Sequence, residues 1–316
     1  MYAYTKHIDA DLTLYAEKVF RARENRKEDE KRVRELSESL NAKVILSSGF
    51  ELLDVDNFGC EIREELVDKL KFYRKLEKIG INFPRLLSDG EKGILKPRIG
   101  GGGEGIKFGE VSEEGYVHQE FVEGIPCSVS AVRSEKEFVV AGVNLMLVGD
   151  RNFFASEFKY CGNVTPFVHE RVGEMIKVAE DLGEYFELLG NYGVDFILGN
   201  ETYVLEINPR FQGSLDSIEL SSDVNLFELH VRAVEGKKLE KVKPRRTAAR
   251  AIIFTPRRMR IKVSPTGNPF FGDIPVKGEV YEKDFPLVSV FATGGNYYEK
   301  LLSRRDLYFK MQGVKL

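Results

Sequence analysis

The stretch that decides the fold is Val204-Leu-Glu-Ile-Asn-Pro-Arg-Phe-Gln-Gly-Ser214, a buried strand that runs into a loop. Glu206 and Asn208 are two residues apart, a spacing that puts both side chains on one face of a strand. Carboxylate and amide oxygens are suitable ligands for a hard cation. Arg210 follows with a planar, permanently charged guanidinium that suits phosphate or carboxylate. A cation site beside an anion-binding arginine indicates phosphate chemistry.

A second apolar strand precedes this one across a turn at residues 199–202, which predicts a hairpin. If the two middle residues of the turn form the loop, Asp195 lies opposite Glu206; a loop one residue earlier places it opposite Val204. The first register is preferred because it puts both carboxylates and Asn208 on one side of the sheet. Carboxylates this close repel each other unless a cation lies between them. The sequence therefore predicts Mg²⁺ ligands here, with an ordinary exposed polar face as the alternative.

A glycine-rich motif, Arg98-Ile-Gly-Gly-Gly-Gly-Glu-Gly-Ile106, directly follows the short strand Gly93-Ile-Leu-Lys-Pro97. Glycine lets backbone N–H groups approach a phosphate without hindrance from a Cβ atom. The spacing matches neither the Walker A motif nor the dinucleotide fingerprint. The motif is therefore a candidate phosphate-binding loop, and a flexible linker is the alternative.

The composition argues against several classes of protein. A net charge of −3 over 316 residues gives no general attraction to nucleic acid or to an anionic membrane. Cys60, Cys127 and Cys161 form neither a zinc spacing nor a disulfide framework, so a reducing cytoplasm is expected. The sequence has no run of about 20 apolar residues and no signal peptide. Neither nucleic acid nor a membrane is an expected partner.

Periodicity and turn residues predict the remaining elements. Helices are predicted over residues 13–40, 61–79, 169–189 and 225–234, and from about residue 296 onward. Strands are predicted over residues 1–5, 42–48, 115–122, 126–132, 137–147, 248–254, 278–281 and 286–291. Residues 158–166 are predicted to be a polar loop, and the basic segment 237–246 marks a boundary. His230 is predicted to pack or cap rather than to catalyse.

A helical lysine, a strand lysine, a glycine-rich loop, a hinge strand and a terminal Asp…Glu-x-Asn hairpin together resemble the ATP-grasp superfamily over roughly residues 66–236. The resemblance is closest to the carboxylate-activating branch that includes biotin carboxylase, carbamoyl phosphate synthase and D-alanine ligase. The Lys-Pro-Arg-Ile-Gly-Gly-Gly-Gly and Asn-Pro-Arg-Phe-Gln-Gly-Ser runs look like the archaeal group of predicted ATP-dependent carboligases. The resemblance implies an α+β fold, in which two α+β lobes clasp ATP.

The resemblance also implies a division of the chain. A shortened N-terminal α/β layer would span residues 1–60, the ATP-grasp domain residues 61–244, and a small C-terminal β-rich subdomain residues 245–316. The nucleotide lobe would cover about 84–125 and the metal lobe about 126–244. The N-terminal layer, which helps to bind the carboxylate substrate in relatives, lacks their glycine-rich opening strand and turn. The expectation is that the chain begins late or that this strand is absent.

The nucleotide site follows from the resemblance by position. Lys69 and Lys96 would contact the nucleotide phosphates, under a mobile lid whose glycines are Gly100, Gly101, Gly102, Gly103 and Gly105. The hinge that reads adenine through backbone groups would consist of Gln119, Glu120, Phe121 and Val122. Pro126 stands where many members have an acidic residue for the ribose, so Glu123 is the expected replacement.

The resemblance also assigns the residues at the reacting end of the site, where the metal, the transferred phosphoryl group and the substrate would lie. Asp195, Glu206 and Asn208 would hold one or two Mg²⁺ ions, with Mn²⁺ as an alternative. Arg210, together with Lys96, would be catalytic and would steady the transferring phosphoryl group. Asn163, Gln212 and Ser214 are candidate substrate contacts, and a structural role is the alternative for each.

The resemblance implies an ATP-dependent carboxylate–amine ligase. A carboxylate attacks the γ-phosphate to give an acyl phosphate and ADP, and an amine or similar nucleophile then displaces phosphate. The protein needs no side-chain nucleophile, which fits the lack of a Ser/His/Asp or Cys/His constellation. A small-molecule kinase and a non-catalytic ATP-binding regulatory protein are the alternatives. The expected partners are a small carboxylate and its nucleophile, with a homodimer as the expected assembly.

Overall fold

The computed structural model describes residues 1–23 and 25–315 of the chain. Helices and strands are mixed along its length, which confirms the predicted α+β class. No helix within these residues is long and apolar enough to cross a membrane. A small sheet and a large sheet position the candidate site.

The N-terminal layer is a two-stranded parallel sheet followed by a helix. Its elements are β1 (Tyr2–Thr5), α1 (Leu12–Tyr15), β2 (Lys18–Arg21) and α2 (Arg26–Leu40). The helix predicted over residues 13–40 is therefore wrong in its first half, because β2 pairs with β1 there. The Asn25 side chain accepts the Glu28 N–H and begins α2, and Asn41 ends it in the left-handed conformation.

The strand predicted over residues 42–48 is also absent. The Phe58 N–H donates to the Val44 carbonyl (2.7 Å), and the Leu46 N–H donates to the Asn57 side chain (2.8 Å). These bonds tie the segment to the loop that follows it rather than to a neighbouring strand. The chain then turns at Gly49.

The helix predicted over residues 61–79 is two helices, α3 (Glu64–Val67) and α4 (Lys69–Ile79). Asp68 separates them, and its carboxylate accepts the N–H groups of Leu70 and Lys71 at the start of α4. Gly80 ends α4 in the left-handed conformation (φ 69°), as predicted. This cap places Lys69 in the first turn of α4.

The small sheet has the order β4–β3–β5. Its strands are β3 (Gly93–Pro97), β4 (Lys107–Gly109) and β5 (Tyr116–Gln119). The bounds of β3 agree with the prediction, and the glycine-rich motif connects β3 to β4.

The large sheet has eight strands in the order β10–β9–β6–β7–β8–β11–β15–β13. They are β6 (Ile125–Arg133), β7 (Phe138–Val148), β8 (Tyr160–Thr165), β9 (Gly190–Leu198), β10 (Thr202–Asn208), β11 (Ala248–Phe254), β13 (Phe271–Gly272) and β15 (Pro286–Thr293). A separate pair is formed by β12 (Met259–Arg260) and β14 (Val280–Tyr281). The C-terminal strands β11, β15 and β13 thus continue the large sheet through the β8–β11 pairing.

Residues 160–165 form β8, so the loop predicted over residues 158–166 is wrong. Strand β8 pairs with β7 on one side and β11 on the other. Its polar side chains Asn163 and Thr165 are buried and hydrogen-bonded inside the protein. A polar composition was therefore a poor guide to exposure here.

Helices cover the sheet and close the core. They are α5 (Val172–Tyr185), α6 (Leu215–Ser222), α7 (Leu226–Val234) and α8 (Tyr297–Met311). The predicted apolar face of α5 is confirmed, since Met175, Ala179 and Leu182 are fully buried against the large sheet. Helix α6 was not predicted. His230 on α7 packs as predicted, with Nδ1 accepting the Asn191 N–H (2.9 Å).

Candidate functional site

A cavity of about 760 Å³ lies between the small sheet and the large sheet. Strand β3, the glycine-rich motif and the segment after β5 line one side. Strands β6, β9, β10 and β11 line the other. All the predicted site residues except Gln119 and Gly105 contribute to its wall.

Asp195 and Glu206 face each other across β9 and β10. The pairs Thr202–Leu198 to Val204–Phe196 share one register, and a bulge at Leu205 then shifts it by one residue. The predicted pairing of the two carboxylates is therefore confirmed, but the predicted two-residue loop is wrong. The Asn208 amide donates to Asp195 Oδ2 (3.2 Å) and to Glu206 Oε1 (3.4 Å), so the structure brings all three together.

The pKa values of the two carboxyl groups are shifted in opposite directions. Burial, and then the charge of Glu206, raise the pKa of Asp195 well above its ordinary value. Burial also raises the pKa of Glu206, but the nearby Lys69 and the hydrogen bond from Asp195 lower it more, so its pKa falls below its ordinary value. A cation bound between the two carboxyl groups would favour the charged form of Asp195.

The donor set fits Mg²⁺ or Mn²⁺. Two carboxylates and an amide oxygen are hard ligands that leave room for phosphate oxygens and water. Among the described residues, no cluster of three or more His, Cys, Asp or Glu side chains is arranged to bind a metal. The Asp195–Glu206–Asn208 set, with its third oxygen from an amide, is thus the candidate cation site.

Two lysines approach this set from the other side of the cavity. Lys69 Nζ lies 3.4 Å from Glu206 Oε2 and donates to the Gly100 carbonyl (2.5 Å). Lys96 on β3 is only 8% exposed, and no hydrogen bond or ion pair among the described residues involves its ammonium. Burial lowers the pKa of Lys96 to about 8, although Glu206 opposes the shift. A buried ammonium without a partner favours an anionic ligand.

The glycine-rich motif is docked against the start of β8. Gly100, Gly102, Gly103 and Gly105 have φ values of 130°, 66°, 75° and 71°. The Tyr160 N–H donates to the Gly102 carbonyl (3.0 Å). A Cβ atom on Gly103 would lie 1.7 Å from the Phe158 carbonyl oxygen, so this position requires glycine for its φ angle and for space.

The segment after β5 differs from the prediction at one end. Gln119 is fully buried behind the cavity, with its amide donating to the Pro84 carbonyl (2.6 Å), because it still belongs to the small sheet. Residues 120–123 and Pro126 line the cavity. No hydrogen bond among the described residues involves the Glu120 carbonyl or the Val122 N–H. These two backbone groups are free to bind a ligand.

Asn163 lines the cavity, but its polar atoms already have partners. Its Oδ1 accepts the Tyr160 hydroxyl (2.9 Å), and its Nδ2 donates to Ser217 Oγ and to Thr165 Oγ1. Asn144 continues this network, accepting from Thr165 (2.6 Å) and donating to Ser128 Oγ (3.0 Å). The arrangement favours the structural alternative for Asn163.

Gln212 and Ser214 are similarly engaged. The Gln212 amide donates to the Arg210 carbonyl and to Asn191 Oδ1 (3.2 Å). Ser214 Oγ lies 2.9 Å from Ser130 Oγ. Both side chains therefore shape the loop after β10, and their outer surfaces form part of the cavity wall.

Arg210 reaches the cavity with its charge partly compensated. Its Nε donates to Glu51 of the N-terminal layer, and its Nη1 donates to the Phe211 carbonyl (3.0 Å). The side chains of Arg210 and Glu51 are 13% and 19% exposed. Glu51 was not predicted to lie near the site, because it is far from Arg210 in sequence.

Two further parts of the cavity wall were not predicted from the sequence. Arg250 on β11 binds the Gly213 carbonyl (2.9 Å) and Asp273 (2.5 Å), and its side chain lines the cavity. Ser47 and Ser48 line the same cavity as Arg210. Arg250 could have been predicted as a site residue, because a charged side chain stands inside the apolar run Ala248–Ala251. Nothing in the local sequence sets Ser47 and Ser48 apart from other serines.

Comparison with known proteins agrees with this geometry. Residues 66–214 match the ATP-grasp domain family. An uncharacterised protein of Methanocaldococcus jannaschii is 28% identical over 250 residues, 72% of this chain and 61% of its own. Tyramine–L-glutamate ligase of Methanocaldococcus fervens is 26% identical over 196 residues, 61% of this chain and 62% of its own. The chain thus spans about three-fifths of the length of these curated relatives.

A solved structure shows the same fold. The biotin carboxylase domain of the Hydrogenobacter thermophilus 2-oxoglutarate carboxylase, solved with MgADP, ADP and bicarbonate, superposes with a TM-score of 0.75 at 14% identity. The match covers 98% of this chain and 84% of that one. The two-sheet architecture around the cavity is therefore the ATP-grasp fold, and residues 66–214 form an ATP-grasp domain.

Proposed function

We propose that this protein is an ATP- and Mg²⁺-dependent ligase that activates a carboxylate as an acyl phosphate and couples it to an amine or a similar nucleophile. The observation that carries the proposal is the convergence of Lys69, Lys96 and Arg210 on one cavity with the paired carboxylates Asp195 and Glu206. Three positively charged side chains that face a site for a divalent metal ion suit a polyphosphate and its bound metal. A relative named tyramine–L-glutamate ligase supports the carboxylate–amine class.

The nucleotide would bind between the two sheets. Its base would meet the free Glu120 carbonyl and Val122 N–H, an acceptor and a donor that match the edge of adenine. Apolar side chains that line this part of the cavity would pack on the base; they are Ile94, Met146, Val148, Ile197 and Leu205. Glu123 lines the cavity beside the hinge and would serve the ribose.

The phosphates would lie under the glycine-rich motif, within reach of Lys69 and Lys96. Asp195, Glu206 and Asn208 would hold Mg²⁺, which when bound neutralises phosphate charge. Lys69 would then exchange Glu206 for a phosphate oxygen, which would leave the Glu206 carboxylate available to the metal ion.

The chemistry requires positioning rather than a protein nucleophile. A carboxylate oxygen of the substrate attacks the γ-phosphorus, and the bond from that phosphorus to ADP breaks. The amine then attacks the acyl carbon, the carbon–oxygen bond breaks and inorganic phosphate leaves, while the amine loses a proton. Arg210, at the end of the cation set, would stabilise the negative charge of the transferring group and the acyl phosphate.

The test is ADP release by the full chain with Mg-ATP across a panel of acids and amines. The panel begins with L-glutamate, bicarbonate and tyramine, following the relatives. The proposal predicts ADP and inorganic phosphate in equal amounts only when an acid and an amine are both present. A phosphorylated product without inorganic phosphate would identify a kinase, and ATP binding without turnover for any pair would support a regulatory protein. The variant Arg210→Gln should bind ATP and lose turnover.

A further inference from the structure

The ion pair between Arg210 and Glu51 joins the reacting end of the cavity to the N-terminal layer. Glu51 Oε1 accepts from Arg210 Nε, and Glu51 Oε2 accepts the Gly49 N–H (2.6 Å). The carboxylate therefore uses both oxygens, as a bound acid would. Arg210 Nη2 takes part in no hydrogen bond among the described residues, so the guanidinium is only partly satisfied.

The loop that presents Glu51 is held in place independently of this ion pair. Lys6 Nζ donates to the Gly49 carbonyl (2.7 Å) and lies over the Phe50 ring, 5.2 Å from its centroid. The Phe50 N–H donates to the Ser47 carbonyl (3.1 Å) and closes the turn. Glu51 can thus leave Arg210 by rotating its side chain while these contacts hold the loop. The rotation also releases the Gly49 N–H, which is exposed and can bind water instead.

The pair is also accessible from the cavity. Arg210, Ser47 and Ser48 line the cavity wall, and the side chains of Arg210 and Glu51 are not completely buried. The two side chains are only 13% and 19% exposed, so separating them without a replacement would leave the Arg210 charge uncompensated. An incoming anion that binds Arg210 from the cavity side supplies that replacement charge.

We propose that Glu51 is an internal stand-in for the anionic group of the substrate, which it mimics on Arg210 and which displaces it. The class of ligand is a carboxylate or the phosphoryl group transferred to it, bound by Arg210 with Ser47 and Ser48 beside it. The inference rests on the proposed function. It parallels Lys69, which is paired with Glu206 and which, in the proposed function, would also exchange this carboxylate for phosphate.

The experiment measures the affinity of inorganic phosphate for the full chain saturated with MgADP, by titration calorimetry. Glu51→Gln keeps the size of the side chain but removes the competing charge. We expect it to bind phosphate about three- to tenfold more tightly than the wild type, because phosphate no longer competes with the Glu51 carboxylate for Arg210. Glu51→Ala should act in the same direction. Glu38→Gln, an exposed change in the same layer, should leave the affinity unchanged.

The double variant Glu51→Gln/Arg210→Gln should lose the gain, since the gain depends on Arg210. Unchanged or weaker phosphate binding by Glu51→Gln would overturn the inference and would instead make Glu51 a fixed support for Arg210. Absence of phosphate binding in both proteins would also overturn it. These outcomes are separable from failure of the proposed function: an active ligase can lack the gain, and a chain that turns over no acid–amine pair can show it.

Discussion

Asp195 lies opposite Glu206 because a bulge at Leu205 adds one residue to β10. If the register of Thr202 and Leu198 continued without the bulge, Leu205 would face Asp195 and the carboxylate of Glu206 would lie on the opposite face. A bulge of this kind re-aims one side chain while leaving the rest of the hairpin intact. The candidate cation site therefore depends on a single irregular residue.

Glu206→Gln should weaken Mn²⁺ binding by about tenfold or more, because it removes one of the two anionic ligands. Mn²⁺ is the probe because electron paramagnetic resonance reports its free concentration directly. Glu170→Gln, an exposed change just before α5, is the control and should not alter binding. Equal Mn²⁺ affinity in wild type and Glu206→Gln would contradict the metal assignment.

Gly103→Ala should strongly impair ATP binding, whereas Gly101→Ala should not. Alanine at position 103 would meet the Phe158 carbonyl at 1.7 Å and would need a left-handed backbone, so the motif must leave β8. A Cβ atom at position 101 would have no heavy atom within 4 Å, and the backbone there is not left-handed. Dissociation constants for Mg-ATP measure the difference. Equal effects of the two changes would show that docking of the motif on β8 does not matter for binding.

ATP affinity should fall as the pH rises through about 8. Burial lowers the pKa of Lys96 to about 8 in the ligand-free chain, so its ammonium is charged below that pH and attracts phosphate, and it is neutral above. Bound ATP favours the charged form, so binding near pH 8 should be accompanied by proton uptake. Calorimetry in buffers of different ionisation enthalpy measures that uptake. Lys96→Gln should bind ATP more weakly and without this dependence; an identical pH profile for both proteins would contradict the assignment.

Asn144→Leu should destabilise the protein by about 2–4 kcal/mol, because Thr165, Ser128 and Ser130 each lose a buried partner. Ser222→Ala is the comparison. Within the described part of the chain its hydroxyl donates only to the Ile218 carbonyl of α6 (2.7 Å), so its loss should cost about 1 kcal/mol or less. Urea denaturation followed by circular dichroism measures both. Equal costs would show that the buried network does not act as a unit.

The regular parts of the fold could be predicted from local pattern. Strand β3 was predicted with its observed bounds because a short apolar run lies between Gly93 and Pro97. Helix α6 was missed because Ser217, Ser221 and Ser222 indicate a loop, whereas in the folded chain all three are buried. Whether a serine lies in an exposed loop or in a buried helix depends on the hydrogen-bond partners of its hydroxyl, and these come from tertiary structure.

The candidate site could be predicted where it is local in sequence, and not where it depends on tertiary contacts. The sequence predicted that Asp195 lies opposite Glu206, but it did not predict the bulge at Leu205 that produces this pairing. The Tyr73 hydroxyl donates to the Leu205 carbonyl (2.7 Å), and the Val204 N–H donates to the Asn82 carbonyl (2.9 Å), so residues outside the hairpin hold the bulge. The roles assigned to the site residues, and the division of the chain at about residues 60 and 244, stay predictions.

The most direct test of the proposed acyl phosphate follows one carboxylate oxygen of the acid substrate. An acid that supports ADP release is supplied with ¹⁸O in its carboxylate, together with Mg-ATP and the amine, and the inorganic phosphate is analysed by mass spectrometry. An acyl phosphate leaves one carboxylate oxygen on phosphate when the amine displaces it, so one ¹⁸O is expected in each phosphate formed from fully labelled acid. Phosphate without ¹⁸O would mean that the carboxylate never attacks ATP, and would contradict the proposed acyl phosphate.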